Sequence, residues 1–283
     1  MLSKELINKI KAAIVAIGLV DKGSVNPKII IGSGFLFDPA GYVMTAGHVA
    51  EKCKELGDMY NKKNEPVECV VFRSIISKKL TFTVDVIEKF SVMDLVKLPK
   101  DYVGPTDLDI ACGKPVTKHS DFPHLTIKST CEYNLFDDVF MCGYPRGNHS
   151  LSLSAKKITG MRFSPILQSG KIVGMLPWDG DQTPYALQTD IIGTGGSSGS
   201  PIVNCEGEVV AVAQKVIPSA VFDLNEKDPN PIGDGQIGIT YGATSCVFTN
   251  FVNSTKKYYD TGIDSGPVAV PLTTLTFAEF TKA

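Results

Sequence analysis

The chain has 283 residues, 43% of them hydrophobic and 20% charged, with a formal net charge of −2. That is ample apolar material for a sizeable core, and a length that one all-β unit or two smaller ones can fill. The near-neutral balance excludes a global attraction for nucleic acid or an anionic membrane.

In chain order, "MLSKELINKIKAAIVAIGLV" predicts a short helix leading into a first buried strand. Its apolar run is far short of the ~20 residues that span a bilayer. Glu5 and the missing small-x-small cleavage site argue against a secretory leader. Helical periodicity is then scarce. Short β-rich runs bounded by Gly, Pro, Asn and Asp recur instead, the pattern of a barrel or sandwich. The expected strands are Ala12–Val20, Lys28–Phe37, Tyr42–Ala46, Glu68–Arg73, Leu80–Lys89, Asp109–Cys112, Asp138–Cys142, Ser152–Met161, Lys171–Leu176, Tyr185–Thr189, Pro201–Asn204, Glu208–Lys215 and Gly238–Ala243. One helix is expected at His48–Met59, where good helix formers cluster. About a dozen strands suffice for two six-stranded barrels, near 12–115 and 130–250, within a unit ending near residue 255. The Pro/Gly-rich segment Val216–Gly238 reads as a surface loop without the ordered ligand spacing of a calcium site, and residues 256–283 as a docked or flexible tail.

Seven cysteines, Cys53, Cys69, Cys112, Cys131, Cys142, Cys205 and Cys246, are irregularly spaced and form neither CxxC pairs nor a zinc pattern. They read as buried reduced thiols, which with the absent leader points to the cytoplasm. No metal or other cofactor is expected.

The candidate chemistry lies in two stretches. Of the four histidines, His119, His124 and His149 lie in polar, turn-rich segments, whereas His48 stands where the strand "YVMTA" runs into a helix. "GTGGSSGSP", Gly193 to Pro201, fits a linker, a phosphate cradle or a turn presenting a nucleophilic serine. Apolar strands flank it closely, which excludes a linker. It has no lysine and runs into a strand rather than a helix, which excludes a nucleotide-binding loop.

"GSGFLFDPAGYVMTAGHV" resembles the first-barrel signature of trypsin-like (chymotrypsin-fold) serine peptidases, nearest to the HtrA/Deg type. "LDIAC", "VFMCGYPRG", "LQTDI" and "GGSSGSPIVNCEGEVVAV" resemble further family segments in the family's order, over roughly residues 12–250. The resemblance implies an all-β fold of two six-stranded antiparallel barrels with the site in the cleft between them. It implies a His-Asp-Ser triad of His48, Asp109 and Ser198, in the chain order of the chymotrypsin class.

The chemistry is coherent. A serine hydroxyl becomes nucleophilic when a histidine takes its proton, and a buried carboxylate fixes the imidazole tautomer. Ser198 fits the motif better than Ser197 or Ser200, having Gly196 two residues before and Gly199 directly after. The amides of Gly196 and Ser198 are the expected oxyanion donors. For the acid, Asp109 is preferred to Asp94 by its spacing to the "GYP" turn, which implies an insertion within Cys53–Lys100. The primary pocket is expected at Ile192 and Gly193, with a wall from Ala211, Val212 and Ala213 up to Gln214. With no acid at its base, an apolar residue before the scissile bond is expected. The departures from the HtrA type are the lack of room for a PDZ-like domain and of the disulfides common in secreted relatives. Ser197, where digestive enzymes carry an aspartate, suggests no activation by N-terminal cleavage. The expected partner is a peptide or protein substrate, with a regulatory protein left open. The alternative is a catalytically silent or partner-activated binding module.

Overall fold

Helix α1 (Lys4–Ala13) is capped by Ser3, whose hydroxyl accepts the Leu6 N–H at 3.1 Å. Glu5 in its first turn and Lys11 in its last complement the helix dipole. The computed structural model describes residues 2–24, 27–73, 90–97, 109–115, 121–145, 150–154, 157–162, 164–176, 184–222, 231–246, 249, 252 and 256.

Strand β1 (Ile14–Asp21) follows at once and is buried on both faces, which is why it reads as an unbroken apolar run. With β2 (Pro27–Leu36), β3 (Val43–Ala46), β4 (Val67–Arg73), β5 (Phe90–Lys97) and β6 (Ile110–Pro115) it closes an antiparallel barrel, in the order β1-β2-β3-β6-β5-β4. Helix α2 (Gly47–Lys62) leaves the end of β3 and buries Val49 and Cys53 against this barrel.

The second barrel uses β7 (Asp138–Gly143), then, beyond a hairpin of β8 (Ser150–Ser154) and β9 (Lys157–Arg162), β10 (Ile166–Leu176), β11 (Ala186–Thr189), β12 (Pro201–Val203), β13 (Val209–Phe222) and β14 (Pro231–Thr244). Its order is β10-β11-β14-β13-β12-β7, closed by the β7–β10 pairing from Asp138↔Lys171 to Gly143↔Ile166. Closure of both sheets removes the exposed edges that invite aggregation.

One apolar cluster joins the halves: Ile14, Phe35, Met44, Phe72 and Cys112 of the first barrel meet Cys142, Val203, Val212 and Ala243 of the second. Helix α1 adds Ile10 and Ala13, while Leu6 lies over the Gly207 turn between β12 and β13. Beyond β14, helical Val252 is buried in the same cluster, and Lys256 pairs with Asp38 of the first barrel.

Several expectations change. The expected strand Leu80–Lys89 lies outside the described residues. Strand β5 was not expected, and a register shift between Met93 and Val96 interrupts the alternation that would have marked it. The single strand expected at Ser152–Met161 is the β8–β9 hairpin. The loop expected at Val216–Gly238 is largely a two-stranded ribbon, with β13 running to Phe222 and β14 starting at Pro231. Pro218 sits at a register shift, where a strand tolerates a missing N–H. The thiols are not all reduced: Cys131 and Cys246 form a disulfide 115 residues apart, and Cys205 is exposed. Cysteine usage therefore no longer argues for a reducing compartment. Among the described residues no helix is long and apolar enough to cross a membrane.

Candidate active site

The β3–β6 pairing sets Ala46 opposite Ile110 and so brings Asp109 to the first turn of α2. That helix has no side-chain cap of its own at Ala46. Asp109 supplies one from across the sheet: its carbonyl accepts the Gly47 N–H at 3.0 Å, and its Oδ1 the His48 N–H at 2.8 Å. Its other oxygen, Oδ2, hydrogen-bonds His48 Nδ1. The aspartate is 6% exposed, whereas the imidazole is half-exposed. With Nδ1–H donated to a buried carboxylate, Nε2 is the nitrogen left to accept a proton. Asp94 lies on β5, within its register shift.

Ser198 is the second residue of the later of two successive tight turns. In Thr194–Ser197, the Ser197 N–H donates to the Thr194 carbonyl at 2.9 Å, and Gly196 takes the third position with φ +89°. In Ser197–Ser200, the Ser200 N–H donates to the Ser197 carbonyl at 3.0 Å, and Gly199 has φ +84°. A positive φ at the third position is what a type II turn demands of glycine. Gly199 has a second reason: a Cβ there would lie 2.1 Å from the Ser33 carbonyl oxygen.

The amides of Ser197, Gly199 and Ser200 are all bound, to the Thr194, Ala213 and Ser197 carbonyls. Those of Gly196 and Ser198 donate to no group among the described residues. From Gly196 to Gly199, unbound and bound N–H groups thus alternate among the described residues, which leaves two of them available to an anion. Proximity of the two halves shows at Gly32: a Cβ there would strike Val49, the neighbour of His48, at 2.5 Å and lie 3.1 Å from the Ser198 carbonyl oxygen.

The structure joins His48 to Asp109, whereas among the described residues no hydrogen bond joins Ser198 to His48. The Ser198 hydroxyl donates instead to the Gln214 carbonyl at 3.4 Å, a long bond. Gln214 is the extra residue at the register shift between Ala213 and Lys215. Such a bulge turns a strand's groups out of the ladder, here toward the serine. The Gln214 side chain is buried, and its amide N and O have no hydrogen-bond partner among the described residues.

Of the expected pocket residues, Ile192 is 56% exposed and Gly193 buried. Ala211, Val212 and Ala213 are buried, and the β13 group bonded to the Ser198 hydroxyl is the Gln214 carbonyl. Asp190, near the expected pocket base, is bound through Oδ1 to the Lys171 N–H at 2.6 Å. His124 hydrogen-bonds the Phe122 carbonyl through Nδ1 at 3.0 Å, whereas His119 and His149 lie outside the described residues. Among the described residues no three or more His, Cys, Asp or Glu side chains gather as a metal ion requires.

Reading the sequence did not single out Ser33 or the role of the Gln214 carbonyl. Ser33 stood inside the quoted "GSGF", but nothing in a strand reveals that a hydroxyl reaches across to another barrel. The bulge that aims Gln214 arises from pairing with β14 and has no mark in β13 itself.

The sequence model of the trypsin-like peptidase domain matches residues 32–212. Among solved structures the fold is similar to protein Rv3671c from M. tuberculosis H37Rv, in the inactive form of a serine-to-alanine mutant: TM-score 0.51, 14% identity, 94% of this chain and 95% of that one covered. It is also similar to the MamO protease domain from Magnetospirillum magneticum, apo form: TM-score 0.52, 19% identity, 87% and 98% covered. At such identities the likeness shows the fold alone. No curated protein matches the sequence.

Proposed function

The chain belongs to the trypsin-like peptidase family, and on that premise we propose that it is a serine endopeptidase with Ser198 as nucleophile, His48 as base and Asp109 as the acid that orients it. The observation that carries this is the double hold of Asp109 on the backbone and ring of His48. A carboxylate spent only on capping a helix would not also need the imidazole.

Ser198 Oγ attacks the scissile carbonyl while His48 Nε2 takes its proton. The developing oxyanion is met by the free amides of Gly196 and Ser198. His48 then passes the proton to the departing amine, leaving an acyl-enzyme that water cleaves by the same route. Ser198 must first exchange its 3.4 Å bond to the Gln214 carbonyl for His48. A bond that long contributes little, so the exchange is inexpensive. Asp109 stays ionised throughout and stabilises the imidazolium.

For specificity we keep an apolar residue before the scissile bond. The exposed Ile192 offers it a surface, and the nearby Asp190 carboxylate is occupied by Lys171. The Ser198–Gln214 contact also favours a second reading, a resting form that a substrate or regulatory partner must complete. Digesting a mixed peptide library and sequencing the new termini tests both. Cuts after apolar residues, absent in Ser198→Ala, support the endopeptidase. Strong preference for Arg or Lys would overturn the pocket reading, and no cleavage at all would favour the resting form.

A further inference from the structure

We propose that Ser33 is a positioning residue that sets the oxyanion turn against the first barrel, an inference that rests on Ser198 being the nucleophile. Ser33 lies on β2 and is fully buried, yet most of its polar contacts cross to the second barrel. Its N–H donates to the Ser198 carbonyl at 2.9 Å and its hydroxyl to the Gly196 carbonyl at 2.7 Å. The same hydroxyl accepts the Tyr144 N–H at 2.8 Å, just beyond β7. Its own carbonyl accepts the Thr45 hydroxyl at 2.6 Å, three residues before His48. Every polar atom of Ser33 is therefore used, and its neighbours lead to both catalytic halves.

The two carbonyls it holds belong to Gly196 and Ser198, the residues whose N–H groups have no acceptor among the described residues. With planar peptides, each residue has only two soft dihedrals. The Gly196 carbonyl shares one rigid plane with the Ser197 N–H, and the Ser198 carbonyl one with the Gly199 N–H, so Ser33 pins the peptide planes on either side of the one that carries the Ser198 N–H. The stretch "GTGG" carries three glycines, whose backbone freedom is the greatest of any residue. A loop of that kind does not fix its peptide planes unaided. The Ser33 hydroxyl supplies the outside tie on the more flexible of the two donors, and its carbonyl sets that tie at a fixed place relative to β3 and His48.

The test compares wild type, Ser33→Ala and Ser33→Thr by two measurements: saturation kinetics of fluorophosphonate labelling, and amide hydrogen exchange at Ser197 and Gly199. Ser33→Ala is expected to label about 10–100-fold more slowly at saturation, as when an oxyanion donor is weakened. Its half-saturating probe concentration stays within threefold. Ser33→Thr, which keeps the hydroxyl, returns to within about threefold of wild type, and exchange at the turn accelerates in Ser33→Ala alone. Labelling within twofold of wild type together with unchanged exchange in a folded Ser33→Ala would overturn the proposal. Wild-type protein that never labels counts against a competent Ser198 in the free protein and not against Ser33, and exchange then still decides whether Ser33 holds the turn. Ser33→Gly, which keeps the backbone bond to Ser198, replaces Ser33→Ala if that variant does not fold.

Discussion

Asp109 holds His48 at two points, one carboxylate oxygen on its backbone N–H and the other on ring Nδ1. The first bond serves the fold and the second the chemistry, so substitutions separate them. Asparagine is itself a good helix cap, whereas alanine is not, and losing a cap costs about 0.5–2 kcal/mol. Asp109→Asn is expected to keep near-native stability while serine labelling falls about 10³–10⁴-fold, because the amide no longer enforces the tautomer. Asp109→Ala is expected to lose both. Asp94→Asn, measured alongside, is expected to label as wild type; a comparable loss there would move the acid to β5.

Gly199 is expected to tolerate no side chain. Its φ of +84° costs an L-residue about 1–2 kcal/mol. A methyl would also meet the Ser33 carbonyl at 2.1 Å. Together these predict that Gly199→Ala is destabilised by about 2–5 kcal/mol in denaturant titration.

The buried amide of Gln214 has no hydrogen-bond partner among the described residues, and such a group costs about 1–3 kcal/mol. Gln214→Met, similar in length and apolar, is therefore expected to melt at or above the wild-type temperature. A marked fall would show that the amide is satisfied in solution.

The cysteines divide into classes that thiol chemistry reads directly. Cys205 is exposed and is expected to react first in native protein. Burial pushes the Cys142 thiol up to about 12, and the Cys112 thiol is also raised by burial, so neither reacts at pH 8 until the chain unfolds. Cys53 is raised by its hydrogen bond to Cys69 and by burial, and Cys69 is held down by the same bond. The Cys131–Cys246 bridge closes a segment of 115 residues. Chain entropy gives such a crosslink up to about 4–5 kcal/mol, so reduction is expected to lower the melting temperature. The Cys131→Ser/Cys246→Ser pair should lose that sensitivity.

How much was legible in the sequence follows from where each signal lies. His48 was readable because a buried strand runs straight into a helix around it, and the turn at Gly196–Gly199 because glycine is the residue its backbone requires. The all-β character followed from short strands with turn residues between them, and the two-barrel architecture from the resemblance to trypsin-like peptidases. Long-range pairing was less visible. Nothing near Asp109 announces that it caps a helix 61 residues earlier, and Cys131 gives no hint of Cys246. The β13–β14 ribbon escaped because Pro218 and the glycines at 233 and 235 look like a loop until pairing places them on a ladder.

The central claim is that His48 and Asp109 activate Ser198. The most direct measurement is mass-spectrometric mapping of the adduct left by a fluorophosphonate on wild type, His48→Ala and Ser198→Ala. A single adduct on Ser198, formed at least 10³-fold more slowly without His48 and absent from Ser198→Ala, is the predicted result. An adduct on Ser197 or Ser200, or labelling of Ser198 that proceeds as fast without His48, would contradict it.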